Sequence, residues 1–113
     1  MESPRSPVFD ALADPTRREI LLFLSAGELP VGDIAECIPG LGRTTISSHL
    51  RVLRMAGLVK ERRDGRYRYY SVDPAPALQL VDFVTQVYKD SLHELDVPAF
   101  AAESGEEAGS HTA

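Results

Sequence analysis

The stretch 40–59, GLGRTTISSHLRVLRMAGLV, decides the fold. Within it, Ile46, Leu50 and Leu53 follow the i, i+4 and i+7 spacing that places side chains on one face of an α-helix. Gly57 then ends the helix, because glycine accepts the left-handed backbone of a helix stop and the apolar residue after it packs back on the last turn. The stretch therefore predicts one amphipathic helix with a narrow apolar stripe for packing on a core.

The opposite face of this helix is short and polar. At about 100° per residue, Thr44, Ser48 and Arg51 point almost directly away from the apolar stripe. Side chains that are small and rich in hydrogen-bond donors are suited to reading base edges in the major groove of DNA. The side chains that we expect to contact DNA from this helix are Arg43, Thr44, Thr45, Ser47, Ser48, His49 and Arg51.

The segment after the helix stop, 58–72 (LVKERRDGRYRYYSV), has the pattern of a β-hairpin. Asp64-Gly65 suits the centre of a tight turn, where both residues need positive φ, and the tyrosine-rich return favours a strand. A basic hairpin directly after a polar-faced helix predicts a wing that contacts phosphates or the minor groove. The cationic side chains expected to make these contacts are Lys60, Arg62, Arg63, Arg66 and Arg68.

Shorter helices precede the polar-faced helix. Asp14 followed by Pro15 has the composition of a helix start, and Gly27 closes that helix. One or two apolar turns over 8–12 come before it, and a short core helix over 31–38 follows it. Helix, helix, polar-faced helix and basic hairpin in this order predict a mainly α fold with a small β-hairpin, the winged helix-turn-helix.

A longer apolar helix is predicted after the hairpin, over 75–95. It carries more apolar surface than a lone surface helix needs, so it either caps its own domain or contacts a second copy. Because a chain of 113 residues builds only a modest core, we favour a homodimer joined through its first and last helices. The expected interface residues are Phe9, Leu12, Val81, Val84, Tyr88 and Leu92.

The charge of the chain is sorted along its length. The net charge is −5, yet segment 43–68 holds eight basic and two acidic residues, a net charge of +6, while the remainder carries −11. Such sorting favours one face that meets a polyanion, and double-stranded DNA is the expected partner. We expect residues 1–7 to form a flexible arm, 8–95 the DNA-binding and dimerisation domain, and 96–113 a disordered acidic tail.

Several function classes are disfavoured by what the sequence lacks. It has no apolar run of eighteen residues and no secretory pattern, so we expect a cytoplasmic protein without membrane contact. It has no catalytic triad at a recognisable elbow and no glycine-rich phosphate loop, so we expect neither enzymatic activity nor a cofactor. Cys37 is expected to be a buried, inert thiol. The main alternative is a winged-helix protein-interaction module without DNA contact, against which the +6 segment argues.

Three segments together resemble the ArsR/SmtB family of bacterial winged-helix repressors. They are FDALADPTRREILLFL near the start, TTISSHLRVLRMAGLV in the polar-faced helix and RRDGRYRYYSV in the hairpin, and the resemblance covers roughly 9–95. The resemblance implies a homodimer whose first and last helices pack across the two-fold axis. It also implies binding to an imperfect palindrome near the protein's own promoter, which blocks transcription until an inducer releases the DNA.

The chain departs from the metal-sensing patterns of that family. Members that sense arsenic, cadmium or lead carry a Glu-Leu-Cys-Val-Cys-Asp-Leu type of segment, whereas 28–34 here reads ELPVGDI, with Pro30 and Gly32 in place of both cysteines. Zinc and nickel sensors carry two histidines eleven residues apart on the last helix, where this chain has His93 alone with carboxylates nearby. We therefore expect no metal site. The releasing signal is then a small-molecule inducer of unknown identity, a partner protein, or none at all.

Overall fold

The computed structural model describes residues 6–91, and within that range the chain forms five helices and three strands. The helices are α1 (Pro7–Leu12), α2 (Pro15–Leu24), α3 (Val31–Cys37), α4 (Arg43–Met55) and α5 (Ala77–Val87). The strands are β1 (Leu29–Pro30), β2 (Val59–Asp64) and β3 (Tyr67–Val72). The prediction of a mainly α fold with a small β-hairpin is confirmed. The chain divides into two compact units, one ending at Pro76 and one beginning at Ala77.

The start of α2 follows the sequence closely. Asp14 Oδ1 accepts hydrogen bonds from the backbone N–H groups of Thr16 at 2.8 Å and Arg17 at 3.1 Å. Pro15 occupies the first helical position, where its missing N–H leaves nothing unpaired. The predicted cap is therefore confirmed. The helix before it, α1, begins at Pro7, the last residue of the predicted flexible arm.

The core of the first unit is built from α2, α3 and α4 under the sheet. Among the described residues, the largest side chains with less than 2% exposure are Ile20, Leu24, Ile34, Ile46, Leu50 and Leu53. Three of them are the predicted apolar stripe of α4, which is confirmed. Full burial of a side chain of this size stabilises the fold by about 1.5–3 kcal/mol. The stripe therefore fixes which face of α4 is left for solvent.

The C-terminus of α4 has the predicted glycine stop. Gly57 adopts φ +81°, its N–H donates to the Arg54 carbonyl at 3.0 Å, and the Leu58 N–H donates to the Leu53 carbonyl at 2.9 Å. This pair of bonds is the Schellman motif, in which the residue after the glycine also packs on the last turn. Leu58 and Leu53 are both buried. The motif turns the chain from α4 into β2.

The hairpin is present, but its turn lies one residue later than predicted. Asp64 pairs with Tyr67 in the β2–β3 ladder, so Gly65 and Arg66 are the central turn residues. Gly65 has φ +62°, and no non-glycine residue within 6–91 has a positive φ. The expectation that Asp64 would occupy a central position with positive φ is therefore wrong, because glycine alone takes up the left-handed conformation here.

A third strand, which was not predicted, extends the hairpin. β1 pairs antiparallel with β3 through Leu29 to Tyr70 and Pro30 to Tyr69, giving the order β1-β3-β2. The strand is two residues long and includes a proline, which lacks an N–H and is tolerated at a sheet edge. Neither its length nor its composition gives a strand signal in the sequence.

The second unit contributes α5, which is shorter than the helix predicted over 75–95. Its α-helix ends at Val87, where the polar residues Lys89, Asp90 and Ser91 follow. Asp and Ser have low helix propensity, since their side chains compete for backbone hydrogen bonds. Leu92, His93 and the tail predicted over 96–113 lie outside the described residues. No helix in the described part of the chain is long and apolar enough to cross a membrane.

Candidate nucleic-acid interface

The polar face of α4 is open to solvent. Its apolar stripe is buried, and the residues opposite the stripe, Thr44, Ser48 and Arg51, are exposed. Arg43 and Thr45 are also exposed, while Ser47 and His49, on the flanks, are half-buried. Thr44, Ser48 and Arg51 therefore lie on the side away from the core, with Ser47 and His49 on its two flanks.

The hairpin does not gather its five predicted cations on one face. Arg63 lies opposite Arg68 in the ladder, so these two share a face, while Lys60 and Arg62 pair with Ser71 and Tyr69 on the other face. The side chains of a strand alternate between the two sides of a sheet, which makes this division unavoidable for consecutive residues. Arg66 lies in the turn. The basic wing is therefore two-sided, with one cation at its tip.

Arg62 is engaged within the protein. Its Nε donates to Glu28 Oε2 at 3.0 Å and its Nη2 donates to Glu28 Oε1 at 2.8 Å, while its guanidinium lies 4.5 Å from the centre of the Tyr69 ring. The hydrogen bond from Arg62 lowers the pKa of Glu28, and the same bond raises the pKa of Arg62. A two-pronged carboxylate contact combined with an aromatic contact holds a guanidinium in place. Arg62 joins the wing to the residue before β1.

Glu61 organises the other face of the wing. The buried Tyr70 donates its hydroxyl hydrogen to Glu61 Oε2 at 2.6 Å. This hydrogen bond is the main cause of the lowered pKa of Glu61, whereas burial is the main cause of the raised pKa of Tyr70. Arg63 and Arg68 approach the carboxylate at 3.6 and 3.8 Å. Both arginines are therefore loosely held beside an ionised glutamate.

The remaining cations that were predicted to contact DNA have no acidic partner in the part of the chain that the structure describes. Within residues 6–91, no carboxylate oxygen lies within 4.0 Å of Arg43, Arg51, Lys60 or Arg66. A cleft of about 400 Å³ lies between the start of α3, the tip of the wing and Arg43 of α4, and we call it the basic cleft. Its lining comprises Pro30, Val31, Gly32, Asp33, Arg43, Arg66, Tyr67, Arg68 and Tyr69. The start of α4 and the tip of the wing thus meet at one site.

Sequence reasoning missed Arg17. Its Nε donates to the Ala11 carbonyl at 2.7 Å, its Nη2 donates to the Asp10 carbonyl at 3.3 Å, and its Nη1 lies 3.4 Å from His49 Nδ1. Arg17 therefore links the end of α1 to α4. The position of Arg17 in the sequence could have indicated this role. A cation in the first turn of a helix is opposed by the helix dipole, so its presence there suggests a stabilising contact elsewhere in the fold.

The predicted dimer-interface residues belong to both units. On α1, Phe9 and Leu12 are half-buried. Val81, Val84 and Tyr88 of the second unit are 50%, 45% and 51% exposed, which is high for large apolar side chains.

Candidate metal ligands are sparse in the described part of the chain. No group of three or more His, Cys, Asp or Glu side chains within 6–91 is arranged to hold a metal ion. Cys37 is half-buried, so the expectation of a buried thiol is wrong in degree. It is the last residue of α3.

Known proteins match both the sequence and the fold. A family model described as a helix-turn-helix domain matches residues 12–62. The transcriptional repressor SdpR of Bacillus subtilis is 42% identical over 66 residues, which cover 58% of this chain and 72% of that protein. The crystal structure of a possible transcriptional regulator for arsenical resistance superposes with a TM-score of 0.68 at 40% identity, covering 80% of this chain and 93% of the other.

A further solved structure bears on oligomeric state. It is the homodimeric winged helix-turn-helix DNA-binding domain of Mb0332 from Mycobacterium bovis, described as a possible ArsR-family transcriptional regulator. Its TM-score is 0.60 at 34% identity, with 81% of this chain and 84% of that chain covered. The family model covers α2, α3, α4 and the first part of β2.

Proposed function

This chain belongs to the ArsR/SmtB family of DNA-binding transcriptional repressors, and from that membership we propose that it binds a palindromic operator near its own promoter as a homodimer. In the proposed complex, α4 enters the major groove and the hairpin contacts the flanking backbone. Binding blocks transcription, and a signal other than a thiolate-bound metal releases the DNA. Because the partner is chromosomal DNA, we place this action in the cytoplasm.

The basic cleft is the observation that carries the proposal. Arg43 from α4 and Arg66 from the wing tip line the same cleft, and neither has an acidic partner among residues 6–91. A polar helix face flanked by unpaired cations is complementary to duplex DNA, in which base edges are flanked by phosphates. A protein-docking surface has no need of this arrangement.

The contacts of each residue suggest a division of labour within the site. Exposed side chains opposite the α4 stripe, such as Thr44 and Ser48, are placed to read base edges. Lys60 and Arg66, which have no acidic partner among the described residues, would neutralise phosphates, and Arg63 is held loosely enough by Glu61 to turn to a phosphate. Arg62 instead positions the wing through its bond to the residue before β1.

The proposed dimer uses α1 and α5. Exposed apolar side chains along α5 would be covered by the second copy, which removes them from water. A two-fold axis would present two α4 helices to successive major grooves about 34 Å apart, which matches the half-sites of a palindrome. The homodimeric relative from Mycobacterium bovis supports this arrangement.

Fluorescence anisotropy tests the proposal. The purified protein is titrated on the duplex upstream of its own coding sequence and on a scrambled duplex, each at two salt concentrations. We expect tighter, salt-dependent binding to the native duplex, saturating at two chains per site. Absence of binding to both duplexes at low salt would overturn the proposal and favour the protein-interaction module.

Two variants separate base reading from backbone binding. Ser48→Ala should weaken binding to the native duplex while leaving the scrambled duplex unchanged, because a base contact carries the sequence preference. Arg66→Gln should weaken binding to both duplexes similarly, because a phosphate contact carries no sequence preference. It should also reduce the slope of log affinity against log salt concentration by about one. Glu19→Gln, an exposed change on α2, is the control and should bind like the unaltered protein.

A further inference from the structure

Two neighbouring arginines in the first turn of α2 reach back to α1. Arg17 donates to the Ala11 carbonyl at 2.7 Å, and Arg18 donates to the Leu12 carbonyl, also at 2.7 Å. Both therefore satisfy carbonyl groups that the end of a short helix leaves unpaired. Arg17 alone of the two also lies against His49 of α4, and it makes further contacts with Asp10 and Asp14. Arg18 is thus a natural control for Arg17.

The guanidinium of Arg17 is held in place independently of His49. Besides the Ala11 carbonyl, it contacts the Asp10 carbonyl at 3.3 Å and Asp14 Oδ2 at 3.9 Å. Its side chain is only 17% exposed. Three acceptors from α1 and from the start of α2 therefore set its position, and the Nη1 atom faces the His49 ring as a consequence.

The contact between Arg17 and His49 determines where the ring proton lies. A guanidinium has five N–H donors and no acceptor, so His49 Nδ1, 3.4 Å from Arg17 Nη1, takes part only as the acceptor. A neutral imidazole with an accepting Nδ1 carries its hydrogen on Nε2.

The Nε2 atom of His49 is not fully buried. No group within residues 6–91 is hydrogen-bonded to it. No buried side-chain nitrogen or oxygen in that range lacks a partner, so an unpartnered Nε2 on a half-buried ring must be accessible. His49 therefore presents an N–H donor at the edge of the polar face of α4.

We propose that Arg17 acts as a positioning residue that holds His49 in the Nε2–H form, so that His49 donates a hydrogen bond to an acceptor on DNA. The acceptor is either a base-edge atom or a phosphate oxygen, which share this chemistry. The proposal rests on the proposed DNA-binding function. Arg17 also connects α1 to the polar face of α4, because its guanidinium contacts both the α1 carbonyls and His49.

The first test uses the free protein. Long-range ¹H–¹⁵N NMR of the His49 ring, recorded at about pH 8.5 where imidazole is neutral, reports the tautomer directly. We expect the Nε2–H form in the unaltered protein and in Arg18→Met, and a mixture of both forms in Arg17→Met. An Nδ1–H form in the unaltered protein, or an unchanged tautomer in Arg17→Met, would overturn the role of Arg17.

The second test uses DNA binding and leaves Arg17 in place, which guards against misfolding of the Arg17 variant. The amide nitrogen of glutamine can stand in for Nε2, whereas the asparagine amide reaches only the Nδ1 position. We expect His49→Gln to retain most of the affinity for the native duplex and His49→Asn to lose roughly tenfold, as for one good polar contact. Equal binding by both variants and the unaltered protein would overturn the DNA contact.

The pattern of losses identifies the acceptor. A loss in His49→Asn on the native duplex alone assigns the contact to a base edge, and an equal loss on the scrambled duplex assigns it to a phosphate. If the unaltered protein binds neither duplex, both the DNA contact and the proposed function fail, while the tautomer measurement still decides the role of Arg17.

Discussion

Asp14 shows how much a single side chain contributes at a helix start. Its Oδ1 accepts two backbone N–H groups, and its second oxygen lies 3.9 Å from Arg17. The residue therefore caps α2 and also helps to position the guanidinium that contacts α1 and His49. One residue serves both the local helix and the packing between helices, so its removal should affect more than the first turn.

Replacing Asp14 should destabilise the protein in a pH-dependent way. The backbone N–H of Arg17 is the largest cause of the lowered pKa of Asp14, with burial opposing it and the N–H of Thr16 adding to it. A carboxyl whose pKa is lower in the folded state contributes stability that is present above its unfolded pKa, about 3.9, and lost as the pH falls through the folded value.

We therefore expect Asp14→Ala to lower the Tm by several degrees at pH 7 and by clearly less at pH 3, measured by circular dichroism. Asp14→Asn, which retains a capping oxygen, is the matched control and should lose less than the alanine variant at pH 7. An equal loss at both pH values in Asp14→Ala would contradict a role for the ionised carboxylate.

At the scale of elements, the junction between α4 and the hairpin positions the interface. The left-handed backbone of Gly57 ends α4 and directs the chain into β2, which carries Lys60 and Arg62. The hairpin is then held by Glu28 at one edge and by the Tyr70–Glu61 bond on one face. The relative placement of helix and wing therefore depends on a few backbone and side-chain contacts.

Gly57→Ala should destabilise the protein by roughly 1–2 kcal/mol, the cost of a left-handed non-glycine residue. No atom lies within 4 Å of an added Cβ, so the effect comes from the backbone alone. Gly32, inside α3, meets only the end of Arg43 at 3.7 Å, and Gly32→Ala should be neutral or stabilising by up to about 1 kcal/mol. Urea unfolding of the two variants measures both values, and a loss in Gly32→Ala as large as in Gly57→Ala would contradict the backbone explanation.

At the scale of the whole molecule, the acidic chain has a local basic surface. The net charge of −5 coexists with cations that line the basic cleft, because acidic residues are concentrated outside segment 43–68. Local field rather than total charge governs the approach of a polyanion. An acidic protein can therefore bind DNA, with binding that weakens steeply as salt is raised.

The proposed dimer makes a prediction at the same scale. Val84→Asp places a charge on α5 among exposed apolar side chains, which include Val81 and, just after the helix, Tyr88. It should shift the protein from dimer to monomer at micromolar concentration, measured by analytical ultracentrifugation. Gln79→Asp adds the same charge on the opposite side of that helix and should leave the dimer intact. A Val84→Asp variant with unchanged mass and a lower Tm would indicate instead that α5 caps its own domain.

The sequence by itself determined the local elements of this protein. The stripe of α4, the Asp14 cap, the Gly57 stop and the existence of the hairpin all depend on residues within a few positions of one another. Helical periodicity, capping and glycine stops depend on residues within one or two helical turns, so they can be predicted from the sequence. The turn was misplaced by one residue because Asp-Gly fits two turn registers.

Only the tertiary structure decided which charged side chains are free to act. Arg62 is engaged by Glu28, 34 residues away, and His49 is oriented by Arg17, 32 residues away. Strand β1 likewise exists because β3 offers it an edge to pair with. Such pairings form when distant segments are brought together by burial of the core, and no local periodicity encodes them. The physical reason is that side-chain partners are chosen by proximity in space, which the chain acquires only on folding.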